Sequence, residues 1–219
     1  MALQDFGEKF DLQKLFRARE VARDLTYELS SLITPGMTED KAHALYKELS
    51  RKHGVEKQWH PPKLRFGPNT LKNFRDSSDP YILQDEDIFF LDIGPVIFGH
   101  EADYGETFNL GSSHELKYLS EASKKIFYEV EAYWKKHHLT GAPLYEFARL
   151  KAEAIGLHLN MGSDGHRIGD FPHQIHFKGG LVECEEDVVP NAWILEIHLW
   201  DQKRKIGSFF EDILTDHEI

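Results

Sequence analysis

The stretch Ile88-Phe89-Phe90-Leu91-Asp92-Ile93-Gly94 is an apolar run that carries a single acid near its end. An apolar run of this length, closed by a glycine, is typical of a buried β-strand. A carboxylate in such a strand is costly to bury unless a cation or several hydrogen-bond donors neutralise it. Asp92 is therefore the first candidate for a functional side chain.

Three more acids have apolar neighbours in strand-like stretches: Asp103 in EADYGETF, Glu196 in WILEIHL and Glu211 in GSFFEDIL. A histidine, His166, lies between the two pairs of acids in GHRIG. Four ionised carboxylates about 5 Å apart repel one another by roughly 3 kcal/mol per pair at an effective dielectric constant of about 20. Carboxylate oxygens with one imidazole suit manganese, iron, cobalt or zinc. The set therefore predicts a site for two divalent metal ions.

Hydrophobic periodicity predicts two helices before Asp92 and two after Asp103. The predicted helices cover 12–32, 38–54, 112–138 and 143–155. Turn residues indicate a loop over 59–80, and further strands are expected at 95–98, 102–110, 173–177, 193–199 and 206–215. The order helix, helix, strands occurs twice. We therefore expect one α+β domain over 1–219, built of two related halves at about 1–110 and 111–219.

The composition favours a globular protein of the cytoplasm. The 219 residues include 26 Lys and Arg against 37 Asp and Glu, a net charge of −11. Such a charge disfavours binding to nucleic acid and to anionic lipid, and no apolar run is long enough to span a membrane. The single cysteine, Cys184, excludes an intramolecular disulfide, and the start of the chain lacks the pattern of a signal peptide.

These motifs together resemble the pita-bread metallopeptidases, which comprise the methionine aminopeptidases, aminopeptidase P, prolidase and the related creatinase. The resemblance rests on LDIG…AD…TF, GHRIG…H, LEI and FFED, and it covers their catalytic domain. His60-Pro61-Pro62 and Gly67-Pro68-Asn69 look most like the aminopeptidase P and prolidase branch. The implied fold has two pseudo-symmetric helix-helix-strand halves around a curved, mainly antiparallel sheet.

The resemblance also implies roles for individual residues. Asp92 would chelate one metal ion, Asp103 and Glu211 would bridge both, and His166 and Glu196 would hold the other. Glu196 would also move a proton during catalysis. His173 would hydrogen-bond the scissile carbonyl, as a catalytic and substrate-binding residue.

Several positions depart from the family pattern where substrate would be contacted. Phe74 stands where the family usually has a substrate-contacting histidine, Glu106 replaces an arginine, and Gln174 replaces an acid. His60, His176 or His198 are candidates to replace the missing histidine. These departures put the peptide specificity in question and leave the metal ligands in place.

Three functions remain open from the sequence. The leading one is a dinuclear metal-dependent aminopeptidase or dipeptidase that acts on short peptides, including Xaa-Pro peptides, through a metal-bridging hydroxide. The second keeps the fold but hydrolyses or cleaves a C–N bond in a small non-peptide molecule, as creatinase does. The third is a non-catalytic binding protein. The sequence leaves open whether the chain forms a homodimer.

Overall fold

The computed structural model describes residues 4–172 and 179–217. Within these residues the four predicted helices are present: α1 (Leu12–Leu32), α2 (Glu39–Lys52), α3 (His114–His137) and α4 (Gly141–Ala154). Helix α2 begins after Thr38, whose hydroxyl accepts a hydrogen bond from the Lys41 amide, as its sequence predicts. None of the helices in the described residues is long and apolar enough to cross a membrane.

The strands in the described residues are β1 (Lys57–Gln58), β2 (Lys63–Phe66), β3 (Asp87–Ile93), β4 (Pro95–Ile97), β5 (His100–Glu101), β6 (Tyr104–Leu110), β7 (His158–Leu159), β8 (His166–Arg167), β9 (Trp193–Asp201) and β10 (Ile206–Ile213). The main sheet has the order β2-β3-β6-β10-β9-β7, with β8 also paired to β9, and β1, β4 and β5 form a small second sheet. All the pairings are antiparallel. The α+β prediction is confirmed.

The sheet is assembled from two strand pairs, one from each half of the chain. Strands β3 and β6 form the first pair, and β9 and β10 form the second. The two pairs meet where β6 lies against β10, and only two residues of each strand are in register there. Helices α1 and α3 cover one face of this junction, which leaves the opposite face available for a site.

The loop predicted over 59–80 is partly wrong, because it contains strand β2 and a short 3₁₀ helix (Gly67–Leu71). In β2 the apolar Leu64 and Phe66 belong to the hydrophobic core, whereas the half-buried Lys63 and the buried Arg65 line a cavity on the opposite face. Such alternation is typical of a strand, but four residues between prolines and a glycine are too few to stand out. The strand predicted at 173–177 lies outside the described residues.

A buried ion pair fixes helix α1 to strand β10. The Arg19 guanidinium donates hydrogen bonds to both carboxylate oxygens of Asp212, and the Nε–Oδ1 distance is 2.6 Å. Both side chains are buried. Because Asp212 follows Glu211 and strand side chains alternate between faces, this pair anchors the helix side of β10 while Glu211 points to the other face.

Candidate metal centre

A cavity of about 530 Å³ opens on the sheet face opposite α1 and α3. All five predicted metal ligands line it: Asp92, Asp103, His166, Glu196 and Glu211. Two residues predicted to contact substrate, His60 and Phe74, also line it. The structure therefore brings together residues from both halves of the chain, as the sequence motifs predict.

The strand register explains how the carboxylates meet. Asp92 of β3 and Glu211 of β10 both lie opposite Gly105 of β6, and Glu196 of β9 lies directly opposite Glu211. A Cβ atom on Gly105 would lie 2.7 Å from Glu211 Oε1. The missing side chain of Gly105 thus leaves the space that the carboxylates occupy. Asp103 reaches the same space from the residue before β6 begins.

His166 stands at the other side of the carboxylate group, at the start of the short strand β8. Its Nε2 atom lies 2.9 Å from Asp103 Oδ2 and 3.8 Å from Glu196 Oε1. Its Nδ1 atom lies 2.9 Å from the Arg167 carbonyl oxygen. Because a carbonyl oxygen can only accept, Nδ1 carries a proton and Nε2 is the atom that faces the acids.

His60 also contacts two of the acids, Asp92 and the other oxygen atom of Asp103. Its Nε2 atom lies 3.2 Å from Asp103 Oδ1 and 3.5 Å from Asp92 Oδ1. The ring is buried, with 7% of the residue exposed. The imidazole predicted as a substitute for the missing substrate histidine thus lies among the acids themselves.

The pKa values of the cluster show a strong excess of negative charge. Burial would lower the pKa of both histidines, but the nearby carboxylates outweigh it and raise the pKa of His60 and of His166 to about 9. Burial, together with the charges of Asp103 and Asp92, raises the pKa of Glu196 to about 7. Two imidazolium charges offset only half of four carboxylate charges, so ionising all four acids requires additional cations.

Two buried oxygen atoms also indicate that the site requires cations. Asp92 Oδ1 and Glu211 Oε1 are buried and have no hydrogen-bond donor among the described residues. Burial raises the pKa of Asp92, and burial and neighbouring carboxylates raise that of Glu211. Buried polar atoms normally have partners, and a divalent cation is the partner that suits carboxylate oxygens. Within residues 4–172 and 179–217, two groups have donor atoms close enough to share an ion: His60, Asp92 and Asp103, and Asp103, His166 and Glu211.

Aromatic and basic side chains form the wall of the cavity. The Trp59 ring lies between the two histidines, with its centroid 4.3 Å from that of His60 and 4.9 Å from that of His166. Phe74 contacts His60 edge to face, and the Lys63 ammonium lies 4.3 Å from the Phe74 ring centroid. Arg75 also lines the cavity. Lys63 lies opposite Asp92 in the register and so shares its face of the sheet.

Glu106, one of the departures from the family pattern, does not lie where substrate would bind. The interpretation that places Glu106 among the substrate-contacting positions is therefore wrong. Glu106 Oε1 lies 2.7 Å from Lys124 Nζ of α3, and Oε2 accepts hydrogen bonds from Tyr27 and Tyr104. Because side chains alternate along a strand, Glu106 points to the helices while its neighbour Gly105 faces the cavity. Glu106 is a structural residue that joins α1, β6 and α3.

His198 has a structural environment too, although it lines the cavity. Its Nε2 atom donates to the Thr70 carbonyl oxygen at 2.7 Å, and its Nδ1 atom accepts from the Asn160 amide at 3.0 Å. Both ring nitrogens are thereby engaged in hydrogen bonds with the protein. Three other residues named in the sequence analysis lie outside the described residues: His173, Gln174 and His176.

Sequence reasoning missed the basic residues of the wall and the role of Gly105. Lys63 and Arg65 alternate with Leu64 and Phe66, and this alternation was the available signal for β2. No signal in a single sequence distinguishes Gly105 from an ordinary strand glycine, because its importance comes from pairing with two other strands.

Comparison with known proteins places nearly all of the chain in one family. Residues 13–214 match the sequence profile of metallopeptidase family M24. No curated protein sequence is similar enough to count as a match. The X-Pro aminopeptidase from Thermotoga maritima superposes with a TM-score of 0.73 at 22% identity, covering 94% of this chain and 61% of that one. The match thus spans about three fifths of the larger enzyme.

Two further structures show the same fold. The prolidase from Pyrococcus horikoshii has a TM-score of 0.73 at 19% identity, covering 97% of this chain and 61% of that chain. The methionine aminopeptidase from Thermotoga maritima has a TM-score of 0.70 at 15% identity, covering 94% of this chain and 93% of that chain. These likenesses confirm the pita-bread fold, and with the profile match over 13–214 they show that the chain belongs to metallopeptidase family M24.

Proposed function

We propose that the protein is a dinuclear metal-dependent peptidase that removes the N-terminal residue from short peptides. The observation that carries the proposal is a cluster of four carboxylates in one cavity, three of them buried and the fourth, Glu196, half-buried. Two of the buried carboxylates have an oxygen atom that lacks a donor among the described residues. The ligands would be Asp92, Asp103, His166, Glu196 and Glu211. Oxygen and imidazole ligands suit manganese, iron, cobalt or zinc.

The arrangement supports hydrolysis of an amide bond. Two divalent ions held there would polarise the scissile carbonyl and make water nucleophilic near neutral pH. Glu196 lines the cavity directly opposite Glu211 in the strand register, where it could accept a proton from the attacking water and deliver it to the leaving amine. Trp59 and Phe74 line the cavity and would exclude bulk water from the reacting groups.

The charges in the cavity favour a short zwitterionic substrate. The acids would attract the free amino group of a peptide, and Lys63 and Arg75 line the same cavity and would attract a carboxylate. A dipeptide carries both charges within a few ångströms of each other. Among the similar structures are an X-Pro aminopeptidase and a prolidase, so peptides with proline in the second position are the first to examine.

Metal analysis tests the ligand set. Wild-type protein should bind close to two equivalents of Mn²⁺ or Co²⁺, measured by elemental analysis after gel filtration. Asp103→Asn should lose most of this metal because Asp103 contacts both histidines. Asp79→Asn is the matched control, because Asp79 is an exposed aspartate paired with Lys72. Failure of wild-type protein to bind either metal would overturn the proposal.

A substrate panel tests the reaction. Metal-loaded protein should release free amino acids from at least one of a set of Xaa-Pro, Met-Xaa and unrelated dipeptides. Turnover should fall when the C-terminal carboxylate is amidated, because Lys63 and Arg75 then lose their partner. Metal-loaded protein that cleaves no peptide but hydrolyses a small amide or guanidino compound would instead identify a creatinase-like enzyme.

A further inference from the structure

We propose that His60 is itself a metal ligand, so that each of the two ions is bound by one histidine. The proposal rests on the proposed function, since it assumes that the acids bind two ions. It extends the ligand set by a sixth residue that the sequence motifs assign at most to substrate contact. The ion concerned is the one held by Asp92 and Asp103.

The distances fit a shared ion. Donor atoms bound to one ion at about 2.1 Å lie roughly 3.0 Å apart in an octahedral shell and roughly 3.4 Å apart in a tetrahedral one. His60 Nε2 lies 3.2 Å from Asp103 Oδ1 and 3.5 Å from Asp92 Oδ1. Both distances from His60 Nε2 are therefore those expected between ligands in one coordination shell, and donor atoms of all three residues lie within 4.8 Å of one another.

His60 repeats the geometry of His166 on the other side of Asp103. In each histidine Nδ1 donates to the carbonyl oxygen of the next residue, at 3.0 Å for His60 and 2.9 Å for His166. In each, Nε2 contacts one oxygen of Asp103, Oδ1 for His60 and Oδ2 for His166. A hydrogen bond from the outer ring nitrogen to a carbonyl is the usual way in which proteins orient a metal-binding histidine.

The backbone around His60 holds the ring in this position. Pro61 restricts His60 to an extended conformation, and Pro62 restricts Pro61 in turn. A Cβ atom on Gly94 would lie 2.0 Å from His60 Cδ2, so this glycine leaves the space for the imidazole. Trp59 closes the other side of the ring. This much pre-organisation suits a ligand, because it lowers the entropic cost of binding the ion.

One of the two buried oxygen atoms that lack a donor within the described part of the chain, Asp92 Oδ1, lies next to His60 Nε2. Asp92 Oδ1 has no hydrogen-bond donor among the described residues, and His60 Nε2 at 3.5 Å is its ion-pair neighbour. A histidine that served only to contact substrate would have no need to direct Nε2 at the acids. Here Nε2 faces two of them, and an ion between the three groups would satisfy all of them at once.

Cadmium NMR tests the proposal directly. Protein labelled with ¹⁵N-histidine and loaded with two equivalents of ¹¹³Cd²⁺ should give two cadmium resonances. One should show scalar coupling to His60 Nε2 and the other to His166 Nε2, and His60→Gln should lose the first coupling only. Coupling to His166 but not to His60 would overturn the proposal while leaving a dinuclear centre. Absence of bound cadmium would overturn both the proposal and the function on which it rests.

Titration calorimetry with Co²⁺ gives a second readout. His60→Gln should keep one tight site and weaken the other at least 100-fold, because losing a ligand costs more than losing an outer partner. Phe74→Leu is the matched control, since Phe74 contacts the His60 ring in the same wall. It should leave both Co²⁺ affinities unchanged. Equal affinities in His60→Gln and wild type would overturn the proposal.

Discussion

At the scale of a single residue, Gly105 leaves room for the carboxylates of the candidate metal centre because it has no side chain. It lies opposite both Asp92 and Glu211, and a Cβ atom there would lie 2.5 Å from Phe209 and 2.7 Å from Glu211 Oε1. We expect Gly105→Ala to fold but to bind metal roughly 10-fold to 100-fold more weakly, because it displaces the Glu211 carboxylate. Titration calorimetry with Mn²⁺ measures the change.

Gly169→Ala is the matched control for this prediction. A Cβ atom on Gly169 would lie 3.8 Å from Phe6, which is ordinary contact. The metal affinity of this variant should equal that of wild type. If Gly105→Ala also kept the wild-type affinity, the space beside Gly105 would have no bearing on metal binding.

The Thr107 side chain of β6 makes hydrogen bonds to the backbone of β10, next to the short stretch where the two strands pair. Its hydroxyl donates to the Phe209 carbonyl oxygen at 2.8 Å and accepts from the Phe209 amide at 2.6 Å. Thr107→Val would leave both backbone groups unsatisfied, so we expect the free energy of unfolding to fall by about 2–4 kcal/mol. Thr107→Ser keeps the hydroxyl and should lose only about 1 kcal/mol. Equal losses in urea unfolding would contradict this role.

The buried His198 predicts acid sensitivity. Burial first, and then the charge of Arg65, lower the pKa of His198 to about 4. The folded state therefore binds this proton less well than the unfolded state, whose histidine pKa is about 6.5. Neutral His198 therefore contributes its full stabilisation of the fold above pH ~6.5. As the pH falls from about 6.5 towards 4, the free energy of unfolding should decrease by up to about 3 kcal/mol.

A comparison of wild type with His198→Gln isolates the contribution of His198 to the pH dependence of stability. Wild type and His198→Gln should be unfolded with urea at several pH values between 7 and 4. The difference between their unfolding free energies should shrink as the pH falls. A constant difference would show that His198 does not titrate in this range.

The residue scale also shows where prediction from the sequence stops. Asp92, Asp103, Glu196 and Glu211 could be identified because acids among apolar residues are unusual in strands. The direction of Glu106 could not, because a shift of one residue along a strand moves a side chain to the opposite face. Only the register with β3 and β10 settles that direction.

At the scale of elements, one ion pair sets the position of α1 against β10. Arg19 and Asp212 are both buried, so removing one partner leaves an unpaired buried charge. We expect Arg19→Met to lower the free energy of unfolding by about 3–5 kcal/mol. Lys52→Met breaks the more exposed pair with Glu28 and should cost less than about 1 kcal/mol. Similar losses in the two variants would refute the buried-pair argument.

The long elements could be predicted and the short ones could not. Helices α1 and α3 have many periodic apolar positions, and their ends lie within two residues of the predicted ones. Strand β2 has four residues and lies among turn residues, so local pattern alone does not separate it from a loop. Its pairing with β3 depends on a tertiary contact.

At the scale of the whole molecule, the proposed ions would join two halves that share a narrow junction. Ligands come from β3 and the residue before β6 on one side, and from β8, β9 and β10 on the other. We expect chelation of the metal to lower the Tm by roughly 10 °C, because ligand at 1,000 times its Kd contributes about 4 kcal/mol. Amide exchange in β6 and β10 should rise more than in α4. Unchanged Tm and exchange after complete metal removal would contradict this coupling.

The two-residue register between β6 and β10 has a consequence for the lifetime of the polypeptide. Proteases degrade chains that open, and we expect a junction this short to open more often when no ion joins its carboxylates. Growth of the host without the proposed divalent metal should therefore shorten the half-life of the protein. This effect should precede any fall in the rate of its synthesis. Its abundance would then follow the supply of trace metal.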